Sequence, residues 1–281
     1  MPPKFIFFGT PQFAVHVLEA LKAADLLPAA IVTAPDKPRG RGLEVTPPEV
    51  KVWGEEHAID VLQPEKLKDE VFLGELRNTD WDFFVVAAYG KLLPKELLDI
   101  PHKGTLNVHP SLLPRFRGAS PIQSQILADE RKTGVTIMLI DEEMDHGPIV
   151  AQASIEPDPW PLSYLMLEEL LATEGGRLLA EVIPEWQKGM LTPEPQRHED
   201  ATYTKKITKE DGRIDPIGDA YTNYLKFCAY NPWPGVFFFD GDTRVKITDA
   251  QFEDNTFKIL KVTPEGKREM LYTDYLRQHT S

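Results

Sequence analysis

Asn107, His109 and Asp145 are the side chains of this sequence with the clearest chemical potential. Asn107-Val-His109 closes the run Thr105-Leu-Asn-Val-His109, which reads as a buried strand. Side chains two apart on a strand share a face, so Asn107 and His109 project together. Pro110 stops the strand, and Ser111-Leu-Leu-Pro114 leads on to Arg115-Phe-Arg117-Gly118. Polar groups at the carboxyl end of a parallel strand lie where open α/β sheets bind ligands. A single His at a strand end is more often structural than catalytic, and an Asn on the same face turns the balance towards a site. Asp141-Glu-Glu-Met-Asp145-His-Gly-Pro148 follows the apolar run Val135–Ile140. Asp141, Glu142 and Glu143 read as an acidic surface turn. Gly147 and Pro148 set a sharp turn that can aim Asp145 inward, where a carboxylate reaching His109 would orient its imidazole. His146 reads as a neighbour of this site.

Two further stretches invite a chemical reading. Gly9-Thr10-Pro11 follows the first strand and opens a helix, but it has one glycine where a dinucleotide fingerprint needs several, and Pro11 removes a donor. A structural turn is the better account, with Phe13 available to line a pocket. Thr33-Ala-Pro35-Asp-Lys37-Pro-Arg39-Gly-Arg41-Gly42 cannot be helix or central strand. It reads either as a solvated loop or, with three cations so close together, as a contact for a polyanion. No His-Glu-x-x-His or paired Cys/His spacing occurs, so no metal is expected. There is no Gly-x-Ser-x-Gly elbow and no Walker-type loop.

The elements that must hold these residues follow from periodicity. Lys4–Phe8 is β-prone, Gln12–Ala24 is amphipathic with Ala14, Val17, Leu18 and Leu21 at helical spacing, and Ala29–Thr33 is a second strand. That is the repeating unit of a parallel sheet. Phe83–Ala87, Thr105–His109 and Val135–Ile140 are further buried strands, apolar enough to be covered on both faces. A long helix is expected from Ser163 to Ile183, ended by Pro184. Residues 1–190 therefore read as one doubly wound α/β domain, 191–206 as a polar linker around Thr192-Pro-Glu-Pro195, and 207–281 as a small β-rich domain. In the last, a helix near Asp219–Cys228, a hairpin about Asp240-Gly241 and a strand Phe257–Leu260 are expected.

With 281 residues, 42% hydrophobic and 27% charged, the composition is that of an ordinary globular protein. No apolar run is long enough to span a bilayer, and no signal peptide is read at the N-terminus. The lone Cys228 fits a reducing compartment, with cytoplasm the default. A formal charge of −13 opposes non-specific nucleic-acid binding but leaves room for a local basic patch.

The segment Asn107-Val-His109-Pro-Ser111-Leu-Leu-Pro114-Arg-Phe-Arg-Gly118-Ala-Ser-Pro121-Ile122, with Asp145 after Thr133–Met138, resembles the folate-dependent formyltransferases. Phe8–Ala14, the Pro35–Gly42 loop, Ala88-Tyr-Gly-Lys-Leu-Leu-Pro94, Ala201-Thr-Tyr203, Lys209–Asp215, Asn231-Pro-Trp-Pro-Gly235 and Pro264-Glu-Gly-Lys267 resemble the branch acting on methionyl-tRNA. The resemblance implies a Rossmann-like domain with a mostly parallel sheet, then a second domain like an oligonucleotide-binding barrel. Here that domain looks shortened, as if strands between Asp249 and Thr263 were trimmed. The basic loop looks contracted after Gly42, and His146 stands where threonine is common.

By the same resemblance, 10-formyltetrahydrofolate is the donor, and the acceptor is the α-amino group of methionine on initiator tRNA. Asn107 and protonated His109 would donate to the oxyanion of a tetrahedral intermediate, and Asp145 would hold His109 and relay the amine's proton. Folate would be bound by Tyr89, Gly90, Lys91, Leu92, Ser111, Leu112, Leu113, Pro114, Asp141, Glu142 and Met144. Phe13 would help form the methionine pocket, and Lys37, Arg39 and Arg41 would contact the tRNA. The implied protein is a cytoplasmic monomer, without metal or membrane contact. Rival readings are a sugar-nucleotide N-formyltransferase, a formylfolate hydrolase and a non-catalytic pterin- or RNA-binding module.

Overall fold

The computed structural model describes residues 2–39 and 44–279. The first part of the chain runs through β1 (Phe5–Gly9), α1 (Gln12–Ala23), β2 (Ala30–Val32), β3 (Lys37–Arg39) and β4 (Glu44–Thr46). It continues with α2 (Glu49–Glu56), β5 (Asp60–Leu62), α3 (Glu70–Arg77), β6 (Phe83–Ala87), α4 (Lys95–Leu98) and β7 (Thr105–His109). Next come β8 (Arg117–Gly118), α5 (Pro121–Leu127), β9 (Thr133–Leu139), β10 (Ile149–Ile155) and α6 (Tyr164–Gln187). The remainder comprises β11 (Tyr203–Thr204), α7 (Ala220–Tyr230), β12 (Val236–Asp240), β13 (Thr243–Glu253), β14 (Thr256–Pro264), β15 (Met270–Leu271) and α8 (Tyr272–His279). Two compact units result: Met1–Arg117 with Gly134–Ile155 and Glu168–Tyr203, and Gly118–Thr133 with Glu156–Leu167 and Thr204–Ser281.

The first unit is built on a seven-stranded sheet in the order β10-β9-β7-β6-β1-β2-β5. β7, β6, β1, β2 and β5 are parallel, and β9 lies antiparallel to β7. On one face Ile6, Phe8, Val32, Phe84 and Val86 pack with Phe72, Leu73 and Leu76 of α3. On the other lie α1 and α6. A Cβ on Gly175 of α6 would stand 2.6 Å from Cγ1 of Val108, so glycine is what lets this helix lie so close to β7. Val86 is the register partner of Asn107. Asn107 and His109 therefore share the face of Val86 and α3, while Val108 points towards α6.

In this unit the expected strands and first helix appear within one or two residues of the predicted limits, whereas the strand expected at Phe257–Leu260 runs on to Pro264. The long helix differs. It passes Pro184 and ends at Gln187 instead of stopping at Ile183. Proline costs a helix one backbone bond, but Ile183 and Trp186 are buried, and Trp186 Nε1 donates to the Lys103 carbonyl at 3.2 Å. Burial of that last turn outweighs the missing bond.

In the second unit, β12 to β15 form an antiparallel ladder. α7, capped by Asp219 through a 2.7 Å bond to the Thr222 amide, packs on β13 and β14 and on α5. The stretch expected to have lost strands, Asp249–Thr263, is filled by the paired outer halves of β13 and β14. Among the described residues, no helix is long and apolar enough to cross a membrane.

Candidate active site

His109, at the end of β7, is 4% exposed. Its Nε2 lies 3.1 Å from the carbonyl oxygen of Phe116. A carbonyl only accepts, so this contact assigns the proton to Nε2. Nδ1 faces Oδ1 of Asp145 at 3.7 Å, within ion-pair distance but beyond a hydrogen bond. The carboxylate expected to orient the ring thus stands slightly off it, and the Phe116 carbonyl holds the ring. Asn107 is half-buried two residues earlier on the same face, between Val86 and Met138.

The Ser111–Phe116 loop brings that carbonyl into place. Ser111 Oγ donates to the Arg115 carbonyl at 2.7 Å, which curls the loop on itself. Thr136, the register partner of His109, donates to the Ser111 carbonyl at 2.7 Å and accepts from the Leu113 amide at 3.1 Å. Gln152 Nε2 adds bonds of 2.9 Å to the Leu113 carbonyl and to Thr136 Oγ1. Phe116 itself sits at φ 61, a backbone state uncommon for a bulky residue. The hydroxyl of Ser111 is therefore occupied within the loop. Leu112 lies against Gly134, and the Pro114 carbonyl accepts from the Thr202 amide at 3.3 Å.

Asp145 occupies a turn that closes where the Leu139 amide donates to the Pro148 carbonyl at 2.9 Å. A Cβ on Gly147 would come within 2.0 Å of the Leu139 carbonyl, so only glycine permits this closure. Asp145 has φ 51 and a side chain 18% exposed. Asp141 is turned away from His109: it accepts from the Glu143 amide at 3.0 Å and meets His146 Nδ1 at 2.7 Å. Glu142 is exposed, as is Met144.

The segment after β6 lies beside this turn, since Tyr89 belongs to an apolar cluster on which Leu93 and Ile140 pack. Ala88 and Gly90 have φ 49 and 78. Tyr89 is buried, its hydroxyl has no hydrogen-bond partner among the described residues, and burial pushes its pKa up to about 12. Lys91 reaches back to the Glu65 carbonyl at 3.3 Å, and Leu92 is exposed.

Of the residues expected to meet tRNA and methionine, Phe13 is buried in α1 and Lys37 is exposed on the β3–β4 ribbon. The backbone of Arg39 pairs with that of Glu44 in the same ribbon. Arg41 lies outside the described residues. Among the described residues, no group of three or more His, Cys, Asp or Glu side chains is arranged to hold a metal ion.

Several residues of this neighbourhood had no marker in the sequence. Arg117 is buried and donates to Oε1 of Gln196 from Nε at 3.0 Å and Nη2 at 2.5 Å. His198 stacks on His146 with ring centroids 4.1 Å apart. Gln196 and His198 fall in the stretch read as a linker, where polar composition conceals burial. Arg117 beside Gly118 was the one available hint.

Comparison with known proteins matches residues 3–183 to the formyl transferase family and residues 206–258 to the formyl transferase C-terminal domain. The methionyl-tRNA formyltransferase of Chloroflexus aurantiacus is 46% identical over 84% of this chain and 76% of its own length. That of Thermus thermophilus is 41% identical over 96% of this chain and 94% of its own. The solved methionyl-tRNA formyltransferase of Clostridium thermocellum superposes with a TM-score of 0.61 over 93% of this chain and 98% of its own, at 16% identity, a likeness of fold. The chain belongs to the formyl transferase family, in the group of the methionyl-tRNA formyltransferases.

Proposed function

We propose that this chain transfers a formyl group from 10-formyltetrahydrofolate to the α-amino group of methionine carried by initiator tRNA. The observation that carries the proposal is the buried imidazole of His109 standing 3.7 Å from the Asp145 carboxylate, with Asn107 on the same strand face. Relatives that align over most of this chain are methionyl-tRNA formyltransferases, which supports that acceptor.

The residues suit a pterin-bearing donor. Tyr89 offers a buried hydroxyl with no partner among the described residues, Leu92 and Met144 offer exposed apolar side chains, and Leu93 and Ile140 bring the two segments together. Bound there, the donor supplies an activated formyl carbon and departs as the folate amine. With Nε2 committed to the Phe116 carbonyl, Nδ1 is the nitrogen through which His109 serves the substrate. An atom beside the pair, off the line from Nδ1 to Oδ1, can lie within hydrogen-bond reach of both, so the two groups can serve one reacting centre. Protonated at Nδ1 as well as at Nε2, His109 donates with Asn107 to the formyl oxygen as negative charge grows on it. Asp145 accepts the proton that the attacking amine loses when the new C–N bond forms, and a proton is returned to the folate nitrogen when the old C–N bond breaks. Ser111, Leu112, Leu113 and Pro114 shape the wall beside His109, and Asp141 and Glu142 carry backbone for the pterin edge. Phe13 contributes to the methionine pocket, and Lys37, Arg39 and Arg41 meet the acceptor end of the tRNA. We place the chemistry on residues 1–190, with Gln196 of the 191–206 stretch packed against the Asp145 turn, and assign 207–281 to the second domain of a cytoplasmic monomer.

The test is an assay with purified protein, formylated folate and charged initiator tRNA. Formyl-methionyl-tRNA is the expected product. Formylation of an amino-sugar nucleotide in its place, or release of formate without any acceptor, would overturn the assignment.

A further inference from the structure

We infer that Gln196, from the polar stretch after the long helix, is a positioning residue for the Asp145 turn, locked in orientation by Arg117. The inference rests on reading Asp145 as the carboxylate of the site. Gln196 is 5% exposed, and its Nε2 donates to the carbonyls of Asp145 at 2.9 Å and Gly147 at 2.7 Å. Its Oε1 accepts both Nε and Nη2 of Arg117, at 3.0 and 2.5 Å. A guanidinium only donates and a carbonyl only accepts, so the amide cannot flip without breaking all four bonds. Arg117 is 1% exposed and, among the described residues, forms no ion pair. The guanidinium also bonds His198 Nδ1 at 2.9 Å and the Tyr203 hydroxyl at 3.3 Å. A planar fork pressed on one amide oxygen is a rigid anchor.

The consequence reaches the site through the backbone. Asp145 is held at φ 51, a state from which a non-glycine residue relaxes readily unless its neighbours over-determine it. The carbonyl orientation of Asp145 sets the direction of its Cα–Cβ bond, and so the distance of Oδ1 from His109. By gripping the carbonyls on both sides of His146, Gln196 keeps the carboxylate beside the imidazole. The stretch that carries it is tied down by reciprocal 2.8 Å backbone bonds between Ile149 and Glu194.

Gln196→Glu separates positioning from folding. It keeps an oxygen for Arg117, now as an ion pair, but presents an acceptor to the Asp145 and Gly147 carbonyls. Gln196→Met removes both sets of bonds at similar volume. Measured on the full-length protein, Gln196→Glu should melt near the parent temperature while kcat falls about tenfold to a hundredfold, with KM for methionyl-tRNA little changed. Amide hydrogen exchange across residues 141–148 should be at least about tenfold faster in both variants. A Gln196→Glu protein with parental kcat and parental exchange would overturn the inference, and so would a loss of kcat that tracks a lowered melting temperature in both variants. Were the parent itself inactive on methionyl-tRNA, the functional reading would fail, and faster exchange in the variants would still uphold the positioning role.

Discussion

Replacing His109 by alanine removes a side chain that meets both the Phe116 carbonyl and the Asp145 carboxylate. Loss of a donor to a developing oxyanion typically costs about 10²–10³ in rate. His109→Ala should lower formylation of methionyl-tRNA by that factor with an unchanged circular dichroism spectrum, and an active variant would dismiss the site. Tyr89 gives a second test of opposite sign. Its hydroxyl is buried with no partner among the described residues, and an unsatisfied buried polar group costs about 1–3 kcal/mol. Tyr89→Phe should therefore raise the melting temperature of the ligand-free protein while weakening folate binding in a titration. Equal folate affinity would mean the hydroxyl faces only the core. At this scale the sequence allowed Asn107, His109 and Asp145 to be singled out, because their neighbours Pro110, Gly147 and Pro148 mark turns. It could not mark the Phe116 carbonyl or Gln196, since a backbone oxygen has no identity and a buried amide looks like any polar linker residue.

Elements decide how firmly the site is backed. β7 owes its position to α6 on one face and the α3 side on the other, and Gly175 sets the approach of α6. A larger residue there drives a side chain into Val108, next to His109, and overpacking of this kind costs about 1–3 kcal/mol. Gly175→Leu should lower the melting temperature and, by shifting β7, reduce kcat as well; a stable and fully active variant would show that α6 can yield. The strands β6 and β7 and helix α1 were legible from apolar runs and helical spacing. The antiparallel direction of β9 was not, because a run buried on both faces carries no sign of direction. Nor was the passage of α6 through Pro184, which local propensity forbids and which burial of Trp186 permits.

Across the whole molecule, a net charge of −13 repels nucleic acid at long range. Binding of tRNA must then rest on local cations, of which Lys37 stands exposed on the β3–β4 ribbon. Affinity for methionyl-tRNA should fall steeply with salt, and Lys37→Ala should flatten the log–log salt dependence by about one unit while leaving folate affinity unchanged. An unchanged slope would place tRNA contact elsewhere.

The sequence by itself determined the class of fold, the family and the three side chains proposed for the chemistry. These are encoded locally, in periodicity, turn residues and short motifs. Only the tertiary structure decided that β9 runs antiparallel beside β7, that Asp145 comes to 3.7 Å from His109, and that a glutamine from a distant polar stretch grips its turn. Those outcomes depend on contacts between residues dozens of positions apart. Such contacts form because buried carbonyls, amides and a guanidinium must find partners once water has been excluded, and no local pattern records which partner each will find.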